Sequence, residues 1–62
     1  MEHYTIVESQ YLNKYDGNPG PGQSLEDKVN EYVKDGWTPV GEISTIVKEG
    51  GYKYYVQAVY RR

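Results

Sequence analysis

Between Ser24 and Pro39 the chain spells out a helix closed at both ends, and the rest has to be arranged around it. Ser24 is a good N-cap, Asp27 stands three positions on in the capping-box arrangement, and Glu26 and Asp27 suit the positive end of the helix dipole. Leu25, Val29, Tyr32 and Val33 follow at i, i+4, i+7 and i+8, which is one apolar stripe. Gly36 supplies a residue free to turn left-handed, and Trp37 can fold back on Tyr32 or Val33 as the contact of a Schellman stop. Pro39 then blocks any continuation. About a dozen residues is marginal for a helix in isolation, so this one must be held against a sheet.

The flanking sequence supplies that sheet. Tyr4 to Leu12 is rich in β-branched and aromatic residues and reads as a first strand, followed by a Gly/Pro-punctuated loop from Asn13 to Gln23. A second strand is expected from Val40 to Lys48 and a third from Tyr52 to Arg61, joined by Gly50-Gly51 as a two-residue hairpin loop. That loop sets Val47 against Tyr54, Thr45 against Val56, Ile43 against Ala58 and Gly41 against Tyr60, all on the face under the helix. The opposite face then carries Val40, Glu42, Ser44, Ile46 and Lys48 against Arg61, Val59, Gln57, Tyr55 and Lys53. A right-handed crossover most simply places strand three between strands one and two. The expected fold is therefore α+β: a βαββ chain forming one domain over residues 1–62. It has a three-stranded antiparallel sheet of order 1-3-2 with one helix on one face, half of a ferredoxin-like fold.

A chain of 62 residues has little core, since domains this small bury only about 60% of the surface their unfolded form exposes. With no Cys and a single His, His3, neither a disulfide nor a Cys- or His-rich metal site is available as a staple. Oligomerisation is the remaining common remedy. The balance of 9 acidic against 7 basic side chains lacks the footprint of a duplex-binding domain. No apolar run approaches the ~20 residues of a membrane helix. The opening MEHYTIVE is not patterned as a signal peptide, so a cytoplasmic location is expected. Eight Tyr, one Trp and no Phe fit both a strand-rich composition and a surface that meets a partner.

The run SLEDKVNEYVKDGWTPVG, with the closing YYVQAVYRR, resembles short bacterial and phage domains of unknown function. Their pattern is close to strand, LExxVNxxxxxGWxPxGG, strand, hairpin, YxQAhhR. The residues that carry the likeness are Leu25, Glu26, Val29, Asn30, Gly36, Trp37, Pro39, Gly41, Tyr55, Gln57 and Ala58. It covers most of the chain apart from the loop, and departs from the pattern at Glu42, where a second Gly is usual. The resemblance implies a fold rather than an activity. In size and habit alone, the chain is similar to small oligomeric phage proteins that sequester signalling nucleotides.

Candidate sites are few. Gly17 to Ser24 reads GNPGPGQS, close to the phosphate-binding G-x-x-x-x-G-K-[ST] pattern, but Gln23 replaces the lysine, and Pro19 and Pro21 remove two N–H donors. A weaker anion site survives, in which Gly20, Gly22 and Ser24 present backbone N–H groups at the helix N-terminus. Asp27, Glu31 and Asp35 line one helix face and read as solvated charges. Lys48, Lys53, Tyr55 and Arg61 are expected on the face away from the helix, where charge and ring stacking can hold a nucleotide. Ile46, Tyr55 and Val59 on that same face are expected to meet another subunit. No catalytic residues, metal site or cofactor can be assembled from these parts. The expected function is a non-enzymatic homo-oligomer holding a small anionic, nucleotide-like ligand between subunits. The alternative is a protein-interaction module, an inhibitor or adaptor, acting through its Tyr-rich sheet face or a strand edge.

Overall fold

Four elements follow one another: β1 (His3–Ser9), α1 (Leu25–Lys34), β2 (Thr38–Val47) and β3 (Lys53–Arg61). They are seen in a computed structural model that describes residues 3–62; residues 1 and 2, which open the N-terminal stretch, lie outside it. β3 runs between β1 and β2 and is antiparallel to both, giving the order 1-3-2. The βαββ order, the single helix and the antiparallel sheet are those the sequence pattern implies.

α1 forms because its ends are closed by the residues that surround it. The Ser24 hydroxyl accepts from the Asp27 N–H at 3.1 Å. At the other end, Gly36 at φ +92° lets its own N–H reach the Val33 carbonyl while the Trp37 N–H reaches that of Tyr32, both at 3.0 Å. These are the paired bonds of a Schellman stop. Trp37 meets Tyr32 edge-on, with ring centroids 5.5 Å apart.

β1 ends three residues before the expected Leu12, and α1 is the reason. The Tyr11 and Leu12 carbonyls accept the Leu25 and Glu26 N–H groups at 2.7 and 3.0 Å, so this segment caps the helix instead of extending the strand. Ser9 makes the bend: its buried hydroxyl donates to the Gln23 carbonyl and accepts from the Tyr11 N–H.

The hairpin departs from the expected register by one residue. The loop is Glu49-Gly50-Gly51: the Gly51 N–H bonds the Lys48 carbonyl at 3.0 Å, and the Lys48 N–H bonds the Tyr52 carbonyl at 2.8 Å. Gly50 and Gly51 both have positive φ, which suits this three-residue loop as well as the two-residue one. Val47 therefore pairs with Lys53 and Thr45 with Tyr55, and every β3 side chain lies on the face opposite to the one expected.

A second irregularity carries the register further from the expected one, setting Val40 rather than Ile43 against Ala58. Val40 pairs with Ala58 but Ser44 with Val56, so Gly41, Glu42 and Ile43 together oppose Gln57. Gly41 takes φ +74° in this bulge. The Gln57 side chain secures it by donating from Nε2 to the carbonyls of Val40 (2.9 Å), Ala58 (3.0 Å) and Gly41 (3.3 Å).

The core is small. Val7, Leu25 and Val59 are buried, with Leu12, Val29, Tyr32, Trp37 and Tyr55 packed around them. Every residue of β2 is exposed. Ala58, expected beneath the helix, pairs with Ile6 and Val40 on the other side of the sheet. Among the described residues no helix is long and apolar enough to cross a membrane.

Candidate functional site

The face of the sheet that α1 does not cover is mainly apolar and aromatic. β3 contributes Tyr54, Val56, Ala58 and Tyr60 to it; β1 adds Tyr4, Ile6 and Glu8; β2 adds Thr38, Val40, Ser44 and Ile46. Tyr4 and Ile6 are more than half exposed, and Val40 and Ile46 are exposed as well. Three strands ~4.8 Å apart and about seven residues long, at ~3.3 Å each, make roughly 330 Å² of flat face before side-chain relief is counted. Contiguous exposed apolar patches of that order commonly mark contact surfaces.

Toward the hairpin end of this face Lys48 pairs with Glu8 and lies 4.4 Å from the centroid of the Tyr54 ring. The hydrogen bond to Glu8 is the main reason the Lys48 ammonium is held above its ordinary value of 10.5. Desolvation opposes that rise, and the charges of Glu8 and Tyr54 assist it.

The residues expected at the loop anion site and on the bare face are spread over three places. Of the basic set only Lys48 belongs to the bare face, beside Ile46. Lys53, Tyr55 and Arg61 lie on the helix side because of the one-residue shift in the hairpin. Lys53 sits 5.1 Å from the Tyr55 ring centroid, and Arg61 lies 5.0 Å from that of Trp37 while donating to the Asp35 carbonyl. Tyr55 is half-buried against the core. Val59, expected at a subunit contact, is wholly buried beneath the helix and has no surface to offer a partner.

The loop residues form the third place, where the Gly20 N–H and the first helical N–H groups are already committed. The Gly20 N–H bonds Gln23 Oε1 at 2.9 Å, and Ser24 is fully buried as the helix cap. The first four helical N–H groups go to Tyr11, Leu12, the Ser24 hydroxyl and the Ser24 carbonyl. The expected anion cradle at Gly20, Gly22 and Ser24 therefore has no free helix donors to offer. Gly22 itself is exposed, at φ +74°.

On the helix side, α1 leaves the inner surface of β2 uncovered. A groove of about 390 Å³ runs there, with Leu12, Leu25, Val29, Pro39 and Ile43 as apolar walls, Gln57 among them, and Glu26, Asn13 and Asn30 also along it. Asp27, Glu31 and Asp35 do not converge: Glu31 pairs with Lys34 at 3.4 Å, and Asp35 is the helix C-cap. No group of three or more His, Cys, Asp or Glu comes together in metal-holding geometry among the described residues.

Tyr4, Ile6, Tyr54 and Tyr60 were not singled out in the sequence as surface residues. The alternation of Tyr4, Ile6 and Glu8 with Thr5, Val7 and Ser9 separates the two faces but does not say which one the helix covers, since both carry apolar residues. An isolated Gly41 inside a strand pattern marked the bulge.

These features define a two-layer α+β domain with one covered and one bare sheet face. No family model, curated protein or solved structure matches the chain.

Proposed function

We propose that the chain is a non-catalytic binding module that works as a homo-oligomer, with its bare Tyr-rich sheet face as the contact between copies. The observation that carries this reading is the contrast between the two faces. Among the described residues the helix side buries only three apolar side chains, Val7, Leu25 and Val59, while the other side leaves Tyr4, Ile6, Val40 and Ile46 in water.

A second copy of the chain is the occupant that fits this face. Glu8 and Lys48, the charged pair at its hairpin end, already neutralise each other, so two copies meet without unpaired like charges there. Two twisted sheets can pack face to face at about 10 Å with side chains interdigitating. A two-fold contact of this kind uses the same patch twice. It also supplies the buried apolar surface that a chain of 62 residues otherwise lacks.

A second reading places a small anionic ligand between the subunits. Its support is the Lys48 ammonium, which stands beside Tyr54 at the border of the same face, where an anion would compete with Glu8 for it.

Native mass spectrometry of the untagged protein, alone and after incubation with a small-molecule extract of its host, tests both. A multimer that Ile46→Glu converts into a folded monomer supports the contact surface, since Ile46 is exposed and its loss leaves the core intact. An added discrete mass per interface supports the ligand. A wild-type monomer removes the oligomer reading altogether.

A further inference from the structure

We propose that the groove between α1 and β2 is a binding site for a small molecule made of an apolar body and a cationic hydrogen-bond donor, such as a primary ammonium. It lies on the opposite side of the sheet from the subunit contact proposed above, and the two stand or fall separately.

The groove has the apolar character and, at about 390 Å³, the lower-range size of small-molecule sites. Its charge is one-sided, with Glu26 as its single ionisable side chain. Gln57 is only 6% exposed, and its Nε2 is spent on the carbonyls of Val40, Gly41 and Ala58. Those bonds fix the orientation of the amide and leave Oε1 without a donor among the described residues. No buried side-chain oxygen or nitrogen lacks a partner among the described residues, so Oε1 keeps some contact with solvent, and the groove is the opening that Gln57 lines. A buried acceptor held in place by its own second half is a recognition element for a donor.

Glu26 adds charge to that preference. Its carboxylate borders the groove, is exposed, and has no ion pair among the described residues. Lys28, two positions on, does not neutralise it, because the Lys28 ammonium donates to the Glu8 carbonyl at 3.0 Å. The positive end of the helix is no competitor, since its N–H groups are taken by Tyr11, Leu12 and Ser24. Asn13 and Asn30 also line the groove, and with Asn13 Oδ1 taken by the Tyr15 N–H at 2.9 Å its amide offers a neutral donor. The one charge along the groove is the Glu26 carboxylate, which repels an anion and, with Gln57 Oε1, would hold an ammonium.

The test is a two-dimensional amide NMR titration of the full chain with phenethylamine, and in parallel with 3-phenylpropionate, which has a similar shape and opposite charge. The expected result is saturable shifts at Val29, Ile43 and the Gln57 side-chain amide. The amine should bind about fivefold tighter than the acid, the weight of one partly exposed ion pair. Glu26→Gln should bring the two affinities together without altering the fold. Ile43→Trp, which fills the groove from an exposed position, should abolish the shifts. The proposal is overturned by an absence of saturable shifts, by shifts confined to the bare sheet face, by equal binding of the acid, or by undiminished binding to Ile43→Trp.

Discussion

Gly36 and Gln57 show how much of this fold rests on single side chains. At Gly36 a Cβ would find only the Arg61 Cδ at 3.7 Å, an ordinary contact, so a substitution there meets no steric obstacle. The cost lies in the backbone, which sits at φ +92°, where L-residues are strained by about 1–2 kcal/mol. Gly36→Val should therefore lower stability by about 2 kcal/mol in chemical denaturation, because β-branching worsens the same strain. An unchanged midpoint would mean that the helix stop does not depend on this conformation. Gln57 works through hydrogen bonds instead. Gln57→Leu keeps the bulk but removes three part-buried hydrogen bonds to carbonyls, each contributing about 0.5–1.5 kcal/mol net. A loss of about 2 kcal/mol is expected; no measurable loss would show that the bulge holds itself.

Legibility differed between elements for a physical reason. α1 was readable to within its caps because Ser24, Asp27, Gly36 and Trp37 act within a few residues of one another. The hairpin was readable as a hairpin but not in register. Two consecutive glycines satisfy both a two- and a three-residue loop, and only packing chooses between them. The choice inverts β3, placing Gln57 and Val59 under the helix and Ala58 on the bare side. Composition gave little warning, since a strand reading KYYVQAVYR has apolar residues on both faces. Paired substitutions at neighbouring positions test the inversion. Val59→Arg places a charge at a site with no exposure and should abolish cooperative unfolding, because an unpaired buried charge is not tolerated. Ala58→Arg should leave a folded chain with native circular dichroism. If Ala58→Arg unfolds the protein and Val59→Arg does not, the register described here is wrong.

For the whole molecule, the site was less legible than the fold because it depends on which groups share a face and which are already partnered. Lys48, Lys53 and Arg61 looked like one cationic cluster in sequence, yet the sheet separates Lys48 from the other two. The loop glycines looked like an anion cradle, yet the helix donors beside them are taken by Tyr11, Leu12 and Ser24. What the bare face leaves unpartnered is mainly apolar, and its consequence is thermodynamic. If burial of the bare face between copies completes the core, folding is linked to association, and Tm must rise with protein concentration. Ala58→Arg puts a charge in the middle of that face, between Ile6 and Val40, and should block docking without touching Val7, Leu25 or Val59. Its Tm is expected to be lower than that of the unmodified chain and independent of concentration. Differential scanning fluorimetry of both chains across a hundredfold dilution, about the span needed to resolve such a shift, separates the cases. A concentration-independent Tm for the unmodified chain would mean that one helix and three buried apolar side chains suffice, and that the bare face serves some other partner.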